Sequence, residues 1–285
     1  MPFEIVTTAD MGFCQGVRRA IERVTEVTGR KQSVETLGAL VHNRQVQQQL
    51  DRMGARVVEA VPDIQGDTVV ISAHGVGPDT IEEIRSRNIG IIDTTCPYVA
   101  RAQQTALKLH QAGFYLVVYG DAGHTEVKGI LGWAGGQGMA TLGLKELEKK
   151  TGLPPKLGIL SQTTQVPSRF AAFVASIIDS EIFLDAELRV VDTICHDSRR
   201  RQSETLQMAR QCDLVFIIGG RHSANTRHLK ELCETVTRAR LIETADEIDV
   251  RLLAGMNRVG VTAGASTDDQ TIQCVIDRLG QLARV

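Results

Sequence analysis

The chain has 285 residues, enough for one large domain or a few small ones. Its 32 basic and 34 acidic residues leave a formal net charge of −2, which excludes the strongly basic footprint of a nucleic-acid binder. The opening MPFEIVTTADMGFC lacks the basic and apolar regions of a secretion signal. No apolar stretch approaches the roughly 18 residues of a membrane span. A cytoplasmic protein is expected, with neither membrane nor nucleic acid as partner. In that compartment cysteines seldom form structural disulfides. The six cysteines stand at 14, 96, 195, 212, 233 and 274, none in a CxxC pair, so zinc-ribbon, thioredoxin and ferredoxin-type motifs are excluded.

In chain order, Val17, Ala20, Ile21 and Val24 recur at helical spacing after Cys14, and Val34–Leu37 reads as a weak strand. VVISAHGV (69–76) is a second strand that runs into His74. IGIIDTTC (89–96) is a β-branched run ending in Asp-Thr-x-Cys, as buried parallel strands read. Val99, Ala102, Ala106 and Leu109 then predict a helix that stops at Gly113, and 114–119 predicts a strand. WAGGQGMA (133–140) and Gly-Leu-Pro-Pro (152–155) read as loops. LGILSQTTQ (157–165) is a strand ending in Thr163 and Thr164. LRVVDTIC (188–195) repeats the Asp-Thr-x-Cys pattern, followed by a weaker helix over 198–210 and a strand over 213–218. VGVTAGAST (259–267) ends in Ser266.

Three of the cysteines share a register. Twenty-four residues after Cys14, Cys96 and Cys195 stand Gly38, Gly120 and Gly219; at +28 come His42, His124 and Ser223; at +30 come Arg44, Glu126 and Asn225; at +5 come Arg19, Arg101 and Arg200. The other three cysteines lack this spacing. The pattern predicts three diverged α/β repeats, 1–95, 96–193 and 194–285, carrying Cys14, Cys96 and Cys195 in turn. Ligands of parallel sheets bind beyond the C-terminal strand ends, so the polar loop tips of three such repeats would face one shared place.

Three thiolates are one fewer than a closed iron–sulfur or zinc site normally has. A cluster held by Cys14, Cys96 and Cys195 would leave one iron open as a Lewis acid and electron relay; burial as small hydrophobes is the competing account, and the one adopted for Cys212, Cys233 and Cys274. His42, His74, His124, Thr163, Ser223, Asn225 and Ser266 at strand tips suit a phosphate or diphosphate held by neutral donors and helix N-termini, although each alone could be a helix cap. No P-loop, GxGxxG or DDxxD motif is present. Glu126 stands out: a carboxylate among anion-binding groups is costly unless protonated, and a raised pKa is what a proton donor needs. A solvated first-turn helix residue is its alternative reading.

With these residues in place, the chain resembles the 4-hydroxy-3-methylbut-2-enyl diphosphate reductase family of the non-mevalonate isoprenoid route. The resemblance lies in GFCQGVRRAI (12–21), LVHNRQV (40–46), SAHGV (72–76), DTTCP (93–97), GHTEV (123–127), SQTT (161–164), DTIC (192–195), SAN (223–225) and GVTAGAS (260–266). It implies a trefoil of three α/β domains with small parallel sheets around one 4Fe–4S cluster, held by Cys14, Cys96 and Cys195. It implies a diphosphate pocket of His42, His74, His124, Ser223, Asn225 and Ser266, with Thr163 on the substrate hydroxyl. The implied reaction is reductive dehydroxylation of the allylic diphosphate to isopentenyl and dimethylallyl diphosphate. The 4-hydroxyl binds the open iron, electrons arrive singly from a ferredoxin or flavodoxin with its reductase, and Glu126, with His124 and Thr163 beside it, supplies the proton. Two departures stand against the family pattern: Ala224 replaces a second serine common among relatives, and HDSRRRQ (196–202) differs from a tyrosine- and threonine-bearing version. Arg199, Arg200 and Arg201 form a candidate basic patch for an acidic electron carrier, and a solvated helix start explains the run as well. A non-enzymatic iron–sulfur redox sensor and a zinc hydrolase on the same thiolates are the rival readings.

Overall fold

The computed structural model describes residues 2–31, 33–183 and 186–284. In chain order the elements are β1 (Glu4–Thr7), α1 (Gln15–Lys31), β2 (Val34–Leu37), α2 (Arg44–Arg52), β3 (Ala55–Val58), β4 (Thr68–Ile71), α3 (Pro78–Ser86), β5 (Gly90–Asp93), α4 (Pro97–Gln111), β6 (Tyr115–Tyr119) and α5 (Thr125–Trp133). There follow β7 (Gly138–Thr141), α6 (Leu144–Glu148), β8 (Lys156–Ser161), α7 (Pro167–Ile178), β9 (Glu187–Val191), α8 (His196–Ala209), β10 (Leu214–Ile218), α9 (Ala224–Glu234), β11 (Arg238–Ile242), β12 (Arg258–Ala263) and α10 (Asp269–Ala283).

Among the described residues the strands form three four-stranded sheets, ordered β3-β2-β4-β5, β7-β6-β8-β9 and β11-β10-β12-β1. Every pairing is parallel. The α/β class with small parallel sheets is therefore observed. Contacts divide the chain into two compact units: residues 1–18, 41–52 and 196–285 hold the β11-β10-β12-β1 sheet, and residues 19–40 and 53–195 hold the other two.

The sheets of β6 and β10 are built on a central strand without charged interruption, because helices cover both faces of a parallel sheet, whereas the central β2 carries Glu35 and Thr36. All five residues of β10 are buried, as are four of the five in β6. In α4 the predicted face, Val99, Ala102, Ala106 and Leu109, is buried, and the helix ends at Gln111, two residues before Gly113 at φ +80°. The edge strands β3, β7 and β11 escape the sequence pattern, since four or five residues with a half-exposed face carry little periodicity. The stretch 133–140 is accordingly not all loop: Trp133 closes α5 and Gly138 opens β7.

The register of the repeats has a structural cause. Gly38, Gly120 and Gly219 each follow the central strand of a sheet and donate their N–H to the last residue of the neighbouring edge strand, Val58, Thr141 and Ile242, at 2.8, 3.1 and 2.9 Å. At Gly219 a side chain has no room, since a Cβ would stand 2.8 Å from both Thr226 Oγ1 and Thr267 Oγ1. The chain leaves each central strand along the same path, into a polar loop and then a helix.

Candidate functional site

The Asp-Thr-x-Cys motif is a device for ending a strand. Asp93 Oδ1 accepts from Thr95 N at 2.8 Å and Asp192 Oδ1 from Ile194 N at 3.0 Å, turns that short Asp side chains favour. The threonine hydroxyls donate sideways to the adjacent strand end, Thr94 to Ile71 O at 2.6 Å and Thr193 to Ser161 O. Each cysteine then stands immediately before a helix: Cys96 is the N-cap of α4, Cys14 precedes α1 and Cys195 precedes α8. Each cysteine N–H also donates to the loop beyond the neighbouring strand: Cys96 to Ala73 O at 3.0 Å, Cys195 to Thr163 O at 2.9 Å and Cys14 to Ala265 O at 3.1 Å.

These three thiols are partly exposed and not joined in disulfides, whereas Cys212 and Cys233 are buried in the β10 core and Cys274 lies exposed on α10. Burial pushes the Cys233 thiol up to about 12. Burial also raises Cys96, and the backbone N–H groups of Tyr98 and Val99 pull it back. Those N–H groups, aimed at sulfur from a helix N-terminus, are the donors a metal-bound thiolate uses. Soft thiolates in this setting fit an iron–sulfur group.

In the two-sheet unit the structure brings His74, His124, Glu126 and Thr163 together around Cys96 and Cys195. His124 caps α5, its Nδ1 accepting from Glu126 N at 3.2 Å. With Nδ1 an acceptor, a neutral His124 carries its proton on Nε2. The His74 and His124 rings meet edge to face with centroids 5.4 Å apart. Glu126 is 2% exposed; its Oε1 accepts from Thr163 N at 2.7 Å and its Oε2 from Thr163 Oγ1 at 3.0 Å. Burial raises the carboxyl to about 7, even against these two bonds, which favour the anion. The solvated-helix reading of Glu126 is thereby excluded. Thr163 also links the acid to a cysteine, since its carbonyl accepts the Cys195 N–H.

In the other unit Ser223, Asn225 and Ser266 surround the Gly219 turn. Ser223 caps α9, accepting from Thr226 N at 3.4 Å. Gly264 N and Thr267 Oγ1 both donate to Ile218 O, at 2.8 and 3.0 Å, which draws the Ser266 loop to the end of β10. His42 joins through its backbone, its carbonyl packed on Gly220 so closely that a Cβ there would overlap it. Burial, reinforced by the neighbouring His222 and Arg227, lowers the His42 pKa. Asn225 is 5% exposed and Ser266 7%, yet Asn225 Nδ2, Asn225 Oδ1 and Ser266 Oγ have no hydrogen-bond partner. Unsatisfied buried groups cost about 1–3 kcal/mol each, and the two donors among these atoms, Asn225 Nδ2 and Ser266 Oγ, are what a bound anion satisfies, whereas Asn225 Oδ1, an acceptor, is not.

The +5 arginines, Arg19, Arg101 and Arg200, are all exposed. The patch over Arg199–Arg201 is not three exposed charges: Arg200 is engaged by Asp10 at 2.5 Å and Asp197 at 3.2 Å. Arg201 is 4% exposed, paired with Asp197 at 3.0 Å and donating to Asp10 O at 3.2 Å. Reading a charge run as a solvated face missed that burial. Sequence reasoning also left Thr164 without a role, although it follows Thr163 as His74 follows Ala73 and Ser266 follows Ala265 in the cysteine-bonded loops.

The fold and site define a class: an α/β protein of parallel sheets whose strand tips present cysteines, a buried carboxylic acid and neutral anion donors. The family model described as LytB protein matches residues 5–280. A protein of Dehalococcoides mccartyi named 4-hydroxy-3-methylbut-2-enyl diphosphate reductase is 51% identical over 280 residues, 98% of this chain and 99% of its own. The solved structure of E-1-hydroxy-2-methyl-but-2-enyl-4-diphosphate reductase from Plasmodium falciparum superposes with a TM-score of 0.91 at 26% identity, covering 97% of this chain and 88% of that one. A second solved structure, described as (E)-4-hydroxy-3-methyl-but-2-enyl diphosphate reductase, the terminal enzyme of the non-mevalonate pathway, matches at 32% identity with a TM-score of 0.69, over 98% and 99% of the chains. The chain belongs to the LytB family.

Proposed function

We infer that this chain is the 4-hydroxy-3-methylbut-2-enyl diphosphate reductase of the non-mevalonate isoprenoid pathway, an iron–sulfur oxidoreductase. It acts on a small-molecule diphosphate and takes electrons from a donor protein. The finer reading is a 4Fe–4S cluster held by Cys14, Cys96 and Cys195, one per chain, in a fold of three repeats with boundaries near 95 and 194. The three identical strand orders support those repeats, with β1 supplying the fourth strand of the last sheet. When bound, the cluster supplies electrons singly and, at the iron no cysteine ligates, a Lewis-acid position for the substrate hydroxyl.

The chain's own residues do the rest. The proposed diphosphate donors are His74 and His124 in the two-sheet unit, and His42, Ser223, Asn225 and Ser266 in the unit built on β10. Asn225 and Ser266 gain on binding the partners they lack. Loss of the C4 hydroxyl as water consumes two electrons and two protons. Glu126, raised by burial to about 7 and accepting from Thr163 at both oxygens, passes a proton to the leaving hydroxyl, with the Thr163 hydroxyl orienting that group. The products are isopentenyl and dimethylallyl diphosphate, and a ferredoxin or flavodoxin is the donor class.

The observation that carries this reading is Glu126, a fully buried carboxylic acid bonded through Thr163 to the Cys195 backbone. Anaerobic purification followed by visible absorption and EPR, with and without the allylic diphosphate, tests it. A brown protein whose EPR signal changes with the substrate is expected. A colourless protein with stoichiometric zinc overturns the reading, and a cluster indifferent to the substrate favours the redox sensor instead.

A further inference from the structure

The His74 loop is held at both ends. One residue before His74, Ala73 O accepts the Cys96 N–H at 3.0 Å. Two residues after it, Val76 O accepts from two side chains, Trp133 Nε1 at 3.0 Å and Gln103 Nε2 at 3.4 Å. Between these anchors the chain turns at Gly75, φ +67°, with Gly75 N donating to Ser72 O at 3.0 Å. Gly75 also sits so close to the Gln103 amide that a Cβ would overlap it.

Trp133 is the last residue of α5, the helix that begins with the His124 cap and carries Glu126 in its first turn. A helix of nine residues is a rigid spacer of about 12 Å. It lies against the His74 loop without a side-chain cushion, since a Cβ on Gly132 would stand 3.1 Å from Gly77 Cα. The indole N–H is thus the polar tie, at the far end of α5, between the helix that presents His124 and the loop that presents His74. The geometry points to Trp133 as a positioning residue: it sets the separation of His74 and His124, hence the grip on the substrate's diphosphate, without touching substrate. The inference rests on the diphosphate reading of those two histidines. Glu126 and Thr163 hold each other independently of Val76, so proton delivery should not share the effect.

The test is Trp133→Phe in the full-length, cluster-reconstituted chain. The substitution keeps an aromatic ring while removing the donor and the second ring of the indole, and Gln103→Met separates the lost bond from the lost volume. Losing one hydrogen bond of ordinary strength corresponds to about a five-fold change. The expected result is a KM for the allylic diphosphate raised about five-fold, with kcat within two-fold of wild type and iron content unchanged. The dissociation constant of inorganic diphosphate, read by calorimetry, should rise by the same factor. Gln103→Met, which removes the longer bond to the same carbonyl, should shift both constants in the same direction by less, and it decides the matter should the tryptophan variant fail to fold. Unchanged KM and diphosphate affinity, or a fall in kcat that tracks lost iron, overturns the positioning role. Absence of reductase turnover in the loaded wild type would instead overturn the functional reading, and the calorimetric comparison would still judge Trp133.

Discussion

The acid pair and the anion pocket solve opposite problems with similar side chains. In the two-sheet unit, both Glu126 oxygens accept bonds from Thr163, so the proposed proton donor is set before any ligand arrives. In the unit built on β10, Asn225 and Ser266 are buried with polar atoms that nothing in the protein satisfies. A group that must deliver a proton to one place gains from being preorganised. Groups that must hold a dianionic ligand gain from being left for the ligand to complete, at some expense in the stability of the unliganded fold. The two regions should therefore respond differently to substitution.

The largest separation is expected from Glu126→Gln. Removing a general acid costs about 10²- to 10⁴-fold in turnover, while KM and iron content should stay within a few-fold of wild type. Steady-state kinetics on the reconstituted chain measure this, and a variant that turns over normally would take Glu126 out of the mechanism. The same group governs a pH effect. In the unfolded chain it titrates at 4.5 and in the fold at about 7, so between those values the native state holds the extra proton. Stability from this group is full below 4.5, declines as pH rises to about 7, and is then lower by on the order of 3 kcal/mol. Urea melts of Glu126→Gln should lack that decline, so the difference between variant and wild type should grow from pH 4.5 to 7 and then level. A constant difference would mean the carboxyl is not desolvated. For turnover the sign is the same: the protonated fraction, and with it kcat, should fall as pH rises above 7.

The anion pocket should show a smaller effect of a different kind. Asn225→Ala should weaken inorganic diphosphate binding roughly ten-fold, in line with the loss of a buried ligand contact, with turnover at saturation little changed. A matching loss of kcat would merge the two regions into one and break the contrast. Smallest of all, Ser266→Ala should raise the stability of the unliganded chain, by about 1 kcal/mol, because it removes a buried hydroxyl without a partner. A thermal melt without and with diphosphate reads it: the variant should be the more stable alone and gain less from the ligand. Destabilisation without ligand would show that Ser266 is a structural residue.

Much of this was legible in the sequence. The shared register of Cys14, Cys96 and Cys195 with Gly38, Gly120 and Gly219 follows from a local event, a strand ending in a turn before a helix, and local events leave fixed spacings. The apolar faces of α4 and the runs of β6 and β10 were equally plain, since burial on both sides of a parallel strand demands continuous hydrophobicity. The DTxC motif could be seen but not explained, because its threonine hydroxyls bond to a strand more than twenty residues away.

The sequence by itself thus determined the repeat, the cysteines that share it and the polar residues offered at the strand tips. Tertiary structure decided which of those residues are buried and what they bond. It alone shows that Arg201 sits under the surface while Arg200 does not, and that β1 belongs to the last sheet. It alone shows that Glu126 is sealed from water while Asn225 is sealed and unsatisfied. The physical reason is that spacing encodes what neighbours along the chain do, whereas desolvation and partner choice depend on segments distant in sequence. In this chain the burial and bonding of Glu126 depend on those distant partners, and the cysteine register on spacing.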